Sequence, residues 1–215
     1  MTTHDSHTRR LAVAALAGVG VFPVIVVVLN LVQRSEGYSA TRDAISNLAL
    51  GRDGALMAVA FCSLGLGTLA FALLLHWTSS HALVRTCVLG VAGVLSFVSA
   101  AFHTDPSGVS ATTHGTIHNT AGIVTFVSML LVMAISVSRF GREPRWRGFA
   151  LPTAVCTVVG VAAFFLVPAL GQAHFGVSQR LLIGAFLVWM LAGAAHQLNR
   201  VRTTTLRWAH STMST

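Results

Sequence analysis

The run LAVAALAGVGVFPVIVVVLNLV, at Leu11–Val32, contains 22 residues and no charged side chain. As an α-helix rising about 1.5 Å per residue it is about 33 Å long, which matches the roughly 30 Å hydrocarbon core of a bilayer. Arg9 and Arg10 precede the run, as basic residues precede a secretory signal. The apolar core of a signal is only about 7–15 residues long, so we interpret this run as a retained membrane-spanning helix.

The same pattern recurs along the rest of the chain. Five more apolar runs follow the first: Ala55–His76, Ala82–Phe102, Ile117–Ser138, Phe149–Leu170 and Leu181–Leu198. Each is long enough to cross a bilayer as a helix and lacks the alternation of a membrane β-strand. The sequence therefore predicts an all-α, multi-pass membrane protein with a six-helix transmembrane bundle at residues 11–198. Residues 1–10 and 199–215 are expected to form the N-terminal and C-terminal tails.

The composition supports this class of protein and excludes others. Of 215 residues, 54% are hydrophobic and 9% are charged, and the mean hydropathy is +0.73. A soluble domain is about 25% charged, so neither a soluble domain nor a disordered chain is expected. Three cysteines are too few for a disulfide scaffold. The net charge of +8 comes from arginines between the apolar runs, so we expect no nucleic-acid partner.

The arginines predict an orientation in the membrane. If the N-terminus is cytoplasmic, ten arginines fall on the cytoplasmic side: Arg9, Arg10, Arg85, Arg139, Arg142, Arg145, Arg147, Arg200, Arg202 and Arg207. Four fall on the other side: Arg34, Arg42, Arg52 and Arg180. Because basic residues are concentrated on the cytoplasmic side of membrane proteins, we expect both termini in the cytoplasm. We expect the protein in the plasma membrane with its functional side facing outwards.

Polar residues gather in the three loops that this topology places outside. Five of them are candidate catalytic groups: Asp43, His103, Asp105, His114 and His118. His114 and His118 are four residues apart and share one face if their helix begins near Thr113. Ionisable groups in a membrane protein normally face the protein interior or a watery cavity. The sequence therefore predicts a pocket at the outer mouth of the bundle.

The histidines raise the question of a metal ion. Two histidines at i and i+4 form half of many zinc sites, and an aspartate or third histidine completes some of them. The candidate ligands are His103, Asp105, His114 and His118, with zinc as the possible cofactor. The alternative, which we favour, is a hydrogen-bonded cluster between helices without a metal. The cofactor is otherwise unknown from the sequence.

Further polar residues near the same mouth are candidates for binding a substrate. They are Ser46, Asn47, Asn119, Gln179 and Arg180. Arg180 has the forked donors that suit a phosphate or carboxylate, but we favour an ion pair with Asp43 or Asp105, because an unpaired arginine at that depth is costly. Asp43 is also placed to cap a helix that begins near Ile45.

These motifs together resemble a known family. The stretches Tyr38–Leu48, Phe102–Pro106, His114–His118 and Gly176–Leu181, with Trp189, are similar to the bacterial integral membrane family of domain of unknown function 998. The resemblance implies a six-helix bundle and a distant similarity to the Frag1/DRAM/Sfk1 group of membrane proteins, but no settled activity. Asn47 departs from the family pattern, in which we expect an acidic residue. A weaker likeness of composition exists to membrane hydrolases of the ceramidase and adiponectin-receptor type.

Three classes of function follow from this pattern. We expect the protein to bind or chemically modify a lipid, an isoprenoid or another apolar small molecule at the outer end of the bundle. The alternative is a non-catalytic membrane protein for assembly, sensing or lipid binding. A transporter or channel is less expected, since no charged residue lies in the middle of a run. Membrane lipids are the expected partners, and the oligomeric state stays open.

Overall fold

Six long α-helices dominate the computed structural model of the chain, which describes residues 3–106, 108–169 and 172–213, without the side chains of 167, 168, 172 and 204–213. The helices are α1 (Thr3–Gln33), α2 (Leu56–Thr78), α3 (Leu83–Ala101), α4 (Thr113–Phe140), α5 (Ala150–Ala169) and α6 (Phe175–Met213). All six are long and apolar enough to cross a membrane, and the described residues include no strand. The predicted all-α, six-helix membrane fold is confirmed. The side chain of Arg207, counted for the orientation, lies outside the described part.

The helices form a closed ring. Each helix packs against the next one along the chain, and α6 packs back against α1. This order is that of an up-down bundle, in which consecutive helices lie side by side in opposite directions. The ring leaves an interior space that every helix borders, and this space positions the candidate site.

Glycines allow two of the helix pairs to approach closely. A Cβ atom added at Gly18 of α1 would lie 2.6 Å from the Cα atom of Gly67 in α2, which is too close for real atoms. A Cβ atom added at Gly65 of α2 would lie 2.9 Å from the carbonyl oxygen of Gly93 in α3. Small residues at such crossings let helix backbones pack together where no hydrophobic effect drives association. The seams between α1, α2 and α3 are therefore tight.

The two ends of the bundle differ in character. We call one end the cavity end; it carries the loop of residues 34–55, the loop that begins at residue 102, and the first turns of α4 and α6. A 3₁₀ helix at Ile45–Ala49 lies in the first of these loops. The opposite end, the terminus end, carries the start of α1 and the loops of residues 79–82 and 141–149.

A buried ion pair holds the terminus end together. Arg85 at the start of α3 is only 1% exposed, and its Nη2 atom donates to Glu143 Oε1 at 3.1 Å. Ser79 also donates a hydrogen bond to the Glu143 carboxylate, and the Arg85 guanidinium lies 5.5 Å from the centre of the Phe140 ring. From the sequence Arg85 was expected only to help set the orientation, whereas in the structure it is a buried link between α3 and the loop after α4.

Candidate functional site

A large cavity lies inside the ring. Its volume is about 710 Å³, and residues of all six helices and of the 3₁₀ helix at Ile45–Ala49 line it. Most of the lining is apolar, with Phe61 and Leu64 of α2, Phe126 of α4 and Leu187 of α6 among the larger side chains. The cavity therefore suits an apolar molecule rather than an ion.

Polar side chains concentrate where the cavity meets the cavity end. Ser46, His118, Asn119 and Gln179 line the space there. From His118 the lining continues along α4 to Met129, a distance of about 16 Å at the rise of an α-helix. The deeper part contains only hydroxyl groups among its polar members, such as those of Thr68 and Ser96. The cavity thus has one polar end and a long apolar body.

His118 is held in a defined orientation at the polar end. Its Nδ1 atom lies 2.8 Å from the carbonyl oxygen of Phe102, and its ring packs edge-on against Phe61 at 5.8 Å between ring centres. A carbonyl oxygen only accepts hydrogen bonds, so Nδ1 must carry the proton. In the neutral ring, Nε2 is then the acceptor. Because the side chain is only 7% exposed and lines the cavity, this acceptor belongs to the interior site.

Gln179 links α6 to the loop above the cavity. Its Oε1 atom accepts a hydrogen bond from the backbone N–H of Ile45 at 2.7 Å, while the side chain also lines the cavity. Gln33 secures the same loop from α1 by donating to the carbonyl oxygens of Leu48 at 2.8 Å and Arg52 at 2.7 Å. The segment around Ile45–Leu48 is therefore fixed as a cover over the polar end.

Arg180 fixes the loop from outside the cavity, and its predicted ion pair is wrong. Its guanidinium donates to the carbonyl oxygens of Asp43 at 2.9 Å and Gly176 at 3.1 Å, and to the Tyr38 hydroxyl. The loop packs closely against α6, so backbone carbonyls of the loop, and no carboxylate, lie within hydrogen-bond distance of the guanidinium. A Cβ atom at Gly176 would lie 2.6 Å from two loop carbonyls. Partial burial of Tyr38 raises the pKa of its phenol.

Asp43 lies at the same end but not in the cavity. Its carboxylate accepts hydrogen bonds from Arg42 at 3.0 and 3.1 Å and from the Ser39 backbone N–H at 2.7 Å. The bond from Arg42 is the main reason that the pKa of this carboxyl lies below its ordinary value. The predicted cap at Ile45 is wrong, since Ala44 precedes that 3₁₀ helix without a side-chain cap and Gln179 takes the Ile45 N–H.

Asp105, in the loop before α4, and His114, in the first turn of α4, lie at the start of this helix. The Asp105 carboxylate accepts from the hydroxyl of Thr112 at 2.7 Å and from its backbone N–H at 2.8 Å, and the hydroxyl bond lowers the pKa of the carboxyl. Thr112 in turn caps α4 by accepting from the Gly115 N–H. The His114 ring is exposed and lies 5.2 Å from the Phe102 ring. Both residues therefore order the loop around Phe102.

The four candidate metal ligands are not brought together as a metal site. Among the residues that the structure describes, no group of three or more His, Cys, Asp or Glu side chains could hold a metal ion. His103 is exposed and borders a second, small pocket of about 20 Å³, which His118 also borders. Asn47 is half-buried and borders neither described pocket. The expected gathering at one end is thus present, but most of the residues divide between a cavity set and a loop-ordering set, and Asn47 and His103 belong to neither.

The cavity set contains four of the ten candidate residues, and sequence reasoning missed some of its supports. The four are Ser46, His118, Asn119 and Gln179. Gln33 was missed although an amide near the end of an apolar helix is a signal for a buried hydrogen bond. Phe61, which packs on His118, had no signal, because one phenylalanine in an apolar run looks like any other.

Comparison with known proteins gives one match. A family model described as "Protein of unknown function (DUF998)" matches residues 16–196, from within α1 to near the middle of α6. The match includes all of the residues that line the cavity. No curated protein and no solved structure matches the chain.

Proposed function

The chain belongs to the DUF998 family of proteins of unknown function, and from its own geometry we propose that it binds a lipid, an isoprenoid or another apolar small molecule inside the helix ring. The observation that carries this proposal is the 710 Å³ cavity with an apolar body and one polar end. Pockets of about 300–1,000 Å³ with mostly apolar walls and a few polar groups are typical of small-molecule sites.

The size of the cavity argues that it is filled. In a protein core, unfilled apolar volume costs about 24 cal/mol per Å³. A space of about 710 Å³ is far larger than an engineered apolar cavity of about 150 Å³ that already binds benzene. An apolar cavity also holds water poorly. A membrane contains lipid acyl chains at high local concentration, so an acyl chain is the natural occupant of the cavity.

The polar end indicates the chemistry of the ligand head. Among the described lining residues, His118 is the only titratable one, and no carboxylate, lysine or arginine borders the cavity. Ser46, Asn119 and Gln179 offer neutral donors and acceptors. A head group buried there is therefore uncharged, such as a hydroxyl, an ester or an amide, because a buried charge needs a partner.

Photolabelling in lipid nanodiscs tests this proposal. The probe is a phosphatidylcholine with a diazirine in one acyl chain, and labelled positions are mapped by mass spectrometry. We expect label on Leu64 and Leu187, which line the cavity and pack against the buried core. Label confined to membrane-facing residues such as Val24 and Val158, which are exposed on the bundle surface, would contradict binding inside the ring.

His118→Asn separates the structural and binding roles of the histidine. The asparagine amide nitrogen can take the place of Nδ1 toward the Phe102 carbonyl, whereas nothing replaces Nε2. One neutral hydrogen bond contributes about 0.5–1.5 kcal/mol, so we expect cavity labelling to fall about three- to tenfold with little change in melting temperature. A large drop in melting temperature with unchanged labelling would show that His118 only supports the fold.

An enzymatic role is the second candidate, and the His118 tautomer favours it. Because Nδ1 donates to a backbone carbonyl, the orientation of the ring is fixed and Nε2 is available to accept a proton. General bases in many enzymes are held in this way. The step that such a base supports is removal of a proton from a hydroxyl of the ligand head or from a water molecule beside it. In that case His118→Asn abolishes turnover of the bound ligand rather than only weakening its binding.

The membrane orientation is part of the proposal. We place the cavity end outside the cell and both termini in the cytoplasm, because most arginines lie at the terminus end. In a variant with Cys62, Cys87 and Cys156 replaced by alanine, we expect a membrane-impermeant maleimide to label Val109→Cys in intact cells. Arg142→Cys, exposed at the other end, should react only after permeabilisation. The reverse result would contradict this orientation.

A further inference from the structure

The seam between α4 and α5 differs from the other seams of the ring at the level of the cavity. Ile123 of α4 and Phe165 of α5 line the cavity, yet their side chains are 57% and 67% exposed at the bundle surface. Gly122 also lines the cavity, and a Cβ atom added there meets no atom within 4 Å. The exposure of Ile123 and Phe165 and the open space at Gly122 together indicate a gap in the cavity wall at this level.

Further from the cavity end, the same two helices are in contact. A Cβ atom added at Gly160 of α5 would lie 3.0 Å from the Leu130 side chain of α4. Leu130 follows Ile123 by two turns, about 10 Å along the helix axis. The seam is therefore closed at Leu130 and open near Ile123, within the part of the bundle that faces hydrocarbon.

The loop of residues 34–55 covers part of the polar end. Ile45 and Leu48 are buried over the polar end, and Gln179 and Gln33 hold their backbone from α6 and α1. A ligand arriving from water would have to displace this whole segment and break these hydrogen bonds. A ligand arriving from the bilayer beside Gly122 would break none of these hydrogen bonds.

We infer that the opening between α4 and α5, bordered by Gly122, Ile123 and Phe165, is a lateral portal that admits one acyl chain of a bilayer lipid from the leaflet at the cavity end. This inference rests on the proposed function. The cavity extends about 16 Å from His118 to Met129, about half of the roughly 30 Å hydrocarbon thickness. A chain of one leaflet therefore fits its depth, with the ester region of the lipid beside Ser46 and His118.

The test measures exchange of a loaded lipid. The protein is loaded with the diazirine-chain phosphatidylcholine, transferred to unlabelled vesicles and irradiated after increasing delays, and the loss of label at Leu64 and Leu187 gives the exchange rate. A bulky side chain at Gly122 should obstruct the portal, so Gly122→Trp should slow exchange about tenfold, as gates control release in other proteins. Phe165→Ala should widen the portal and speed exchange about threefold.

Gly90→Trp is the matched control, because Gly90 of α3 also has open space around it but does not border the cavity. It should exchange at the wild-type rate. If Gly122→Trp cannot be loaded, Phe165→Ala decides the question. Wild-type exchange in Phe165→Ala, or in a loaded Gly122→Trp protein, would overturn the portal while leaving the binding proposal intact. Absence of cavity label in the wild-type protein at zero delay would instead overturn the proposed function.

Discussion

Ser96→Phe is expected to abolish labelling of the cavity by the diazirine in the acyl chain of the lipid probe. Ser96 lies on α3 along the apolar body of the cavity, and its hydroxyl bonds only to the Ala92 carbonyl of its own helix at 3.0 Å. A phenyl ring there occupies space that the acyl chain of the lipid needs. Because lipid tails are as apolar as the protein interior, the substitution weakens binding by reducing the volume of the cavity and not by changing its polarity. We expect labelling of Leu64 and Leu187 to fall at least about tenfold, which corresponds to about 1.4 kcal/mol.

Ser138→Phe is the matched control for this variant. Ser138 also bonds to a carbonyl of its own helix, that of Ile135 at 3.1 Å, but it is exposed on α4 and does not border the cavity. It should label like the wild-type protein. Full cavity labelling in Ser96→Phe would show that the chain binds elsewhere.

Glu143→Ala is expected to cause a large loss of stability. The substitution removes the carboxylate that pairs with Arg85 at 3.1 Å and accepts from Ser79. Arg85 would then keep one hydrogen bond, to the Ser80 carbonyl at 3.2 Å, with its charge still buried. Breaking a buried pair by removing one partner typically costs about 3–5 kcal/mol. Thermal unfolding in detergent should show a correspondingly lower melting temperature.

Two controls separate the ion pair from general effects of mutation. Arg52→Ala removes an exposed pair with Asp53 at 3.7 Å, and exposed pairs contribute little, so no measurable change is expected. Replacing both Arg85 and Glu143 by leucine removes both charges together and should recover much of the loss. Wild-type stability in Glu143→Ala would contradict a structural role for the pair.

The helices were predictable because their signal is local. The continuous apolar run at Leu11–Val32 is longer than the apolar runs of soluble proteins, and the helix there extends from Thr3 to Gln33. The run at Ile117–Ser138 is likewise contained in α4. The polar residues around the ends of these helices extend them beyond the hydrocarbon, where hydropathy no longer reports helix boundaries.

The gathering of polar residues at one end was also predictable, but their division was not. His114 and His118 are four residues apart on one helix, yet His114 is exposed in the first turn of α4 and His118 lines the cavity. One helical turn makes this difference, because the His114 ring contacts the Phe102 ring whereas His118 bonds to the Phe102 carbonyl oxygen and lines the cavity. Sequence spacing places both residues on one face but does not give their depth.

Contacts between distant parts of the chain were the least predictable. Arg85 and Glu143 lie near helix ends, where charged residues are normally solvated or determine orientation. Arg180 was expected to find a carboxylate and instead binds backbone carbonyls of the folded loop. Loop carbonyls carry no sequence signal, since every residue has one.

Native mass spectrometry of the protein extracted from its own membrane tests the central claim most directly. We expect the wild-type chain and Ser138→Phe to retain a bound molecule with an apolar chain at a stoichiometry of one, and Ser96→Phe to appear as the bare polypeptide. A bare wild-type chain, or an equal adduct on Ser96→Phe, would contradict a ligand inside the helix ring.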